Sequence, residues 1–139
     1  MKRIVILLSL TALSACTSIQ VEPLPVSMKP EKICIERNPK VIVGDFLTVV
    51  RNRIEFHGID TEVYERGDHG NCDFTMTYTA LKNWDLGTYM HHAELRLEYN
   101  GRKIGYAEYH LNGKGGLSLS KWQSTKSKME PVVDRLLGK

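Results

Sequence analysis

Residues 89–111, YMHHAELRLEYNGRKIGYAEYHL, decide the fold. Apolar and charged residues alternate on both sides of Asn100-Gly101, the pattern of half-buried strands rather than of a helix. A two-residue type I′ turn needs positive φ at both central positions, and asparagine followed by glycine supplies it at low steric cost. With these two residues as the whole loop, the opposed pairs are Tyr99 with Arg102, Glu98 with Lys103, Leu97 with Ile104, Leu95 with Tyr106, Ala93 with Glu108 and His91 with His110. On that register the face carrying Leu97, Leu95 and Ala93 is largely apolar and belongs under helices. The opposite face, with His92, Glu94, Arg96 and the Glu98–Lys103 pair, belongs in solvent.

Upstream, Phe74 to Trp84 is a second run rich in threonine and aromatic residues, so an antiparallel meander is expected. Before it, Lys32 to Arg37 reads as a short strand stopped by Asn38-Pro39. Phe46, Leu47, Val49, Val50, Ile54 and His57 then recur at helical spacing after Gly44-Asp45, with Gly58 as the stop, and Asp60 to Glu65 reads as another strand. Strand, helix and strand in this order suit a parallel crossover unit.

Downstream, Asn112-Gly113-Lys114-Gly115-Gly116 reads as a flexible loop, and Leu117, Leu119 and Trp122 as apolar anchors. Ser127-x-x-Glu130 offers a capping box that places Pro131 in the first turn of a helix. Met129, Val132, Val133, Leu136 and Leu137 form its buried stripe, and Gly138 ends it. The expected class is α+β: a mostly antiparallel sheet of about five strands with two helices packed on one face, in a single domain over 32–139.

The amino terminus has a different character. Lys2 and Arg3 precede an apolar run, Ile4 to Leu13, that is about half the length needed to span a bilayer. This is the layout of an export signal over 1–15. Leu13-Ser14-Ala15-Cys16 resembles the lipobox of bacterial lipoproteins. The resemblance implies cleavage after Ala15, a diacylglyceryl thioether on Cys16 and, with Thr17 rather than an aspartate following, carriage to the inner leaflet of the outer membrane. Residues 16–31, with Pro23, Pro25 and Pro30, read as the lipidated cysteine and an extended linker.

Once Lys2 and Arg3 leave with the signal, the formal charge falls from +3 to about +1, so the balance of charges gives no footing for nucleic-acid binding. Of three cysteines, Cys16 is taken by lipid. Cys34 and Cys72 then enter an oxidising compartment, where they are expected to be disulfide-bonded to each other; two buried thiols is the alternative.

The sharpest candidate site follows from the hairpin register. His91 opposite His110, with Glu108 two residues away, offers two imidazoles and a carboxylate to zinc or copper; the alternative is a hydrogen-bonded pair at a frayed hairpin end. Trp84, Tyr89, Tyr109 and Trp122 are either a groove for a ligand or core. The glycines around Lys114 lack P-loop spacing, and no serine stands in a Gly-x-Ser-x-Gly elbow.

From Cys34 to Leu137 the chain resembles a family of small uncharacterised proteobacterial lipoproteins. The likeness is carried by Cys34-Ile35-Glu36-Arg37-Asn38-Pro39-Lys40-Val41-Ile42-Val43, Tyr78-Thr79-Ala80-Leu81, His92-Ala93-Glu94-Leu95-Arg96-Leu97, Gly113-Lys114-Gly115-Gly116-Leu117-Ser118-Leu119, Lys121-Trp122 and Lys128-Met129. It brings no catalytic or binding residues and no cofactor. The expectation is a non-enzymatic interaction or adaptor module, anchored in the outer membrane through Cys16, facing the periplasm and meeting an envelope protein. The alternative is a periplasmic metal- or small-ligand-binding protein using His91, Glu108 and His110.

Overall fold

A computed structural model of the chain describes residues 17–139; the signal peptide expected over 1–15 and the lipidation expected at Cys16 lie outside the described residues. The elements are β1 (Thr17–Glu22), β2 (Lys32–Glu36), α1 (Phe46–Phe56), β3 (Asp60–Tyr64), β4 (Phe74–Trp84), β5 (Thr88–Tyr99), β6 (Arg102–Leu111) and α2 (Thr125–Leu136). Two short 3-10 turns, Asn112–Gly115 and Leu119–Trp122, lie between β6 and α2. One six-stranded sheet runs in the order β1-β6-β5-β4-β2-β3.

The α+β class is as expected, but the sheet is mixed and larger. β2 lies parallel between β3 and β4, while β4, β5, β6 and β1 are antiparallel. The sixth strand comes from the stretch expected as a linker. Thr17 to Glu22 pairs with β6 along its whole length, from Thr17 opposite Leu111 to Glu22 opposite Tyr106, and Ile19 and Val21 pack on the core. Its three inward positions are Thr17, Ile19 and Val21, an alternation that the prolines further on obscured. Residues 23–31 are thereby a connection between β1 and β2, in which Leu24 is buried and its amide donates to the Leu136 carbonyl at 2.8 Å.

Helix α1 buries Phe46, Val50 and Ile54, one residue per turn, and Gly58 beyond it takes φ +76°, the left-handed stop anticipated for it. Phe46 stacks on Tyr78 of β4 with ring centroids 5.5 Å apart. Helix α2 starts a turn earlier than Ser127, because Ser124 accepts from the Ser127 amide at 3.1 Å. Pro131 therefore sits inside the helix, on its exposed side, rather than in the first turn. The helices are joined by Arg53, whose Nε and an Nη each donate to Asp134 at 2.6 Å, with His57 Nε2 2.7 Å from the same carboxylate. That fork holds the Asp134 pKa below its ordinary value.

The central hairpin turns at Asn100-Gly101 as expected, with φ +48° and +77°. Its register does not continue as expected. Tyr99 opposes Arg102 and Glu98 opposes Lys103, but a bulge follows, and Leu97 then opposes Gly105 rather than Ile104. A one-residue slip turns every later β6 side chain to the other face. Gly105, Ala107, Tyr109 and Leu111 are therefore the buried residues of β6, the first three opposite Leu97, Leu95 and Ala93 of β5 and the last opposite Thr17 of β1. The slip also places Gly105 beneath α2. A Cβ at Gly105 would meet Leu136 at 3.0 Å, so the missing side chain lets the helix approach the sheet.

Candidate functional site

The register shift moves Glu108 and His110 to the outer face of the sheet and pulls the expected metal triad apart. His110 opposes His92, Glu108 opposes Glu94, and His91 is the extra residue where β5 bulges against β4, since Leu81 opposes His92 and Lys82 opposes Met90. His91 is half-buried, and burial, with the neighbouring charges of His92 and His110, pushes its pKa down.

The imidazoles that do meet are His92 and His110, with Nδ1 atoms 3.1 Å apart. His92 Nε2 lies 2.9 Å from a Glu94 carboxylate oxygen, which can only accept when ionised. The neutral pair then has one consistent tautomer assignment: His92 carries its proton on Nε2 and accepts at Nδ1 from His110 Nδ1–H. Below the pair, the Tyr106 hydroxyl donates to Glu108 at 3.0 Å, and burial followed by this bond pushes the phenol up to about 12. Arg96 lies over the Tyr106 ring. Lys103 opposes Glu98 as expected, yet its ammonium reaches Glu22 of β1 at 2.7 Å.

Cys34 and Cys72 form the expected disulfide, with Cα atoms 6.1 Å apart. It fastens the segment after β3 onto the outer side of β2. The grouping of metal-type donors found among the described residues is Cys34, Glu62 and Cys72, and its two sulfurs are spent on this bond.

The end of the sheet where β1 begins carries a second feature. Leu117, Leu119 and Trp122, expected as buried anchors, are exposed at 102%, 80% and 37%, and in the β4–β5 turn Trp84 and Leu86 are exposed at 71% and 86%. Of the four aromatics considered for a groove, Tyr89 and Tyr109 are core. Trp122 and Tyr89 border an open cleft with Ile42 and Lys82, while Trp84 stands outside it.

What anchors this end are two lysines that sequence reasoning missed. Lys121 and Lys128 are each 3% exposed. Lys121 bonds Asp85 and the Gly116 carbonyl and lies over the Trp122 ring at 4.5 Å. Lys128 donates to the carbonyls of Met90 and Lys121, near the rings of Tyr89 and Tyr109. Burial pulls its pKa down to about 8. The signal was present: Thr125 and Lys128 continue the Met129, Val132, Val133, Leu136 stripe toward the helix start. The glycine-rich stretch is correspondingly ordered. Gly115 is buried at φ +83°, and a Cβ there would meet the Lys121 Cβ at 2.7 Å.

Among the described residues, no helix is long and apolar enough to cross a membrane. No protein-family model and no curated protein matches the chain. Among solved structures, two dodecamers of PelC from Paraburkholderia phytofirmans match with TM-scores of 0.59, at 11% and 13% identity. The fold resembles that of PelC. The match covers 86% of this chain and 95% and 97% of the PelC chains, one of them a point variant, so it extends over nearly the whole of both. At this identity the likeness concerns the fold.

Proposed function

We propose that this protein is a lipid-anchored envelope module that works by holding a partner rather than by catalysing a reaction, tethered through Cys16 to the inner leaflet of the outer membrane. The observation that carries this is the position of β1. Thr17, the residue after the lipobox cysteine, is already paired in the sheet opposite Leu111, so the tether enters the domain with no free spacer. Two acyl chains or more hold such an anchor stably.

The likeness to PelC supports an assembling module, since a chain of this fold is recorded there as a dodecamer. Among the described residues the sheet order leaves β1 and β3 as terminal strands, each with one side unpaired by another strand, and such an edge can receive a strand of a partner. Metabolic labelling with an alkyne fatty acid should mark the wild type and not a Cys16→Ser variant, which should also leave the membrane fraction. Cross-linking of the native lipidated protein in intact envelopes should capture a defined partner or a defined ring of copies. Labelling that survives Cys16→Ser refutes the tether, and only random cross-links refute the holding role.

A second reading rests on the His92–His110 contact. Two imidazole nitrogens bound to one tetrahedral zinc at about 2.0 Å stand about 3.3 Å apart, close to the 3.1 Å here. Glu94 behind His92 is the carboxylate that commonly orients a ligating imidazole. The pair would hold zinc or copper(II) with positions left for water, in place of the His91, Glu108 and His110 set. Calorimetric titration of the mature protein with zinc and copper(II) should show a site that His92→Ala and His110→Ala each remove. Equal binding in the variants ends this reading.

A further inference from the structure

Five of the nine large apolar residues exposed among the described residues, Trp84, Leu86, Leu117, Leu119 and Trp122, lie at the end where the chain enters the domain, while Val26 and Phe56 lie elsewhere. Thr17 pairs with Leu111 and Trp84 with Thr88, so the start of β1, the end of β6 and the β4–β5 turn lie at the same end of the sheet. The Leu119–Trp122 turn is locked to that β4–β5 turn, because Trp122 Nε1 donates to the Asp85 carbonyl at 3.0 Å and Lys121 pairs with the Asp85 carboxylate. Trp84 and Leu86, at the end of β4 and in the turn after it, and Leu117, Leu119 and Trp122, in and just before the Leu119–Trp122 turn, therefore belong to two linked segments.

We propose that this end of the domain lies against the phospholipid bilayer that holds Cys16, with Trp84, Leu86, Leu117, Leu119 and Trp122 entering the headgroup region. The proposal rests on the lipidated Cys16 of the preceding subsection. Three observations select a bilayer as the occupant. The first is reach. A free linker over 16–31 would allow the domain to stand about 50 Å from its lipid, whereas consecutive Cα atoms are about 3.8 Å apart and Thr17 is already fixed in the sheet.

The second is charge. Residues 82–92 and 112–124 contain a single carboxylate, Asp85, which is occupied by Lys121, while Lys82 and Lys114 stand exposed on the same two segments. Such a surface suits anionic lipid. The third is backbone conformation. Leu86 sits at φ +56°, a region that bulky side chains disfavour and that glycine or asparagine would fill at lower cost. A leucine held there presents its side chain to the outside of the turn. Tryptophan at the lipid–water boundary is the usual placement of an amphipathic ring, and apolar contact adds a second membrane signal to the lipid.

The chain has two tryptophans, Trp84 and Trp122, and both belong to this patch, so its intrinsic fluorescence reports on docking directly. The test uses the mature lipidated protein in vesicles of phosphatidylethanolamine and phosphatidylglycerol, with acyl chains either unmodified or brominated near the headgroup. The expected result is a blue shift on vesicle binding and loss of most of the emission in brominated lipid. A Leu86→Ser, Leu117→Ser, Leu119→Ser variant should still float with the vesicles and keep the wild-type circular dichroism, yet recover its emission in brominated lipid.

Lipidated protein that floats with equal emission in both lipids overturns docking and leaves the anchor standing. A blue shift without quenching by bromine, together with cross-linked pairs through this end, assigns the patch to a second copy and also overturns it. A mature chain whose mass lacks the lipid overturns the anchor, and docking with it.

Discussion

Lys128 provides a quantitative check on the packing beneath the exposed turns. Its ammonium is buried against two carbonyls and two tyrosine rings with no carboxylate partner among the described residues, and its pKa falls from 10.5 in the unfolded chain to about 8. Between those values the unfolded chain binds more protons than the folded one, so stability rises with pH across the window. Below about pH 8 both states are protonated and the full penalty is present. At 1.36 kcal/mol per unit the whole effect is about 3 kcal/mol, and the part gained between pH 7.5 and 9.5 is about 2 kcal/mol. These are ceilings, since the two carbonyls favour the charged form.

The window must close below pH 10. Burial raises Tyr106 and Tyr109 to about 12, so above their ordinary value of 10.0 the unfolded chain ionises first and stability falls again. Urea unfolding at fixed ionic strength should therefore show the midpoint rising from pH 7.5 to 9.5 for the wild type and staying nearly flat for Lys128→Met. The variant's stability at pH 7.5 is less informative, because it removes a charge penalty while leaving the Met90 and Lys121 carbonyls without their donor. A flat wild-type profile, or an undiminished slope in Lys128→Met, would refute the burial argument.

Other outcomes follow from the same packing. Opening the Cys34–Cys72 bond, which closes a separation of 38 residues, should cost about 4 kcal/mol in the chain-entropy model, read as a lower urea midpoint for the Cys34→Ser, Cys72→Ser protein. Asp134→Asn should lower the thermal midpoint near neutrality. Because the Asp134 pKa is depressed, its contribution is present above the ordinary value of 3.8 and lost as pH falls through the lower folded value, so the variant should show a shallower acid limb. Gly115→Ala should cost about 1–3 kcal/mol, since it combines a left-handed backbone with a Cβ pressed on Lys121, and calorimetry would register it. Leu86→Asn should raise stability by up to about 1 kcal/mol while reducing tryptophan quenching by brominated lipid, separating the fold's preference from the surface's.

The elements that were legible in the sequence are those set by local chemistry. Asn100-Gly101 specifies its turn through φ, Phe46, Val50 and Ile54 recur at helical spacing, Gly58 stops that helix, and Ile33 and Ile35 mark a buried strand. What escaped were decisions made between elements. Within residues 102–111 the period of two does not itself choose between a face of Ile104, Tyr106, Glu108 and His110 and one of Gly105, Ala107, Tyr109 and Leu111, although only the second lacks an acid and a histidine. Packing under Leu136 favours the second and inserts the bulge. The expected metal triad depended on that one residue of register, and the His92–His110 pair replaced it for the same reason.

For this protein, then, the sequence alone determined the turn, the helical stripes and the α+β class, and favoured a Cys34–Cys72 bond over two buried thiols. Each of these depends on neighbouring residues or on a small choice of cysteines. Only the tertiary structure decided that residues 17–22 add an edge strand to the sheet, that His92 rather than His91 meets His110, and that Leu117, Leu119 and Trp122 face outward while Lys121 and Lys128 are buried. Strand partnership and burial depend on which distant surfaces meet, and a polar residue goes inside wherever carbonyls and rings stand ready to satisfy it.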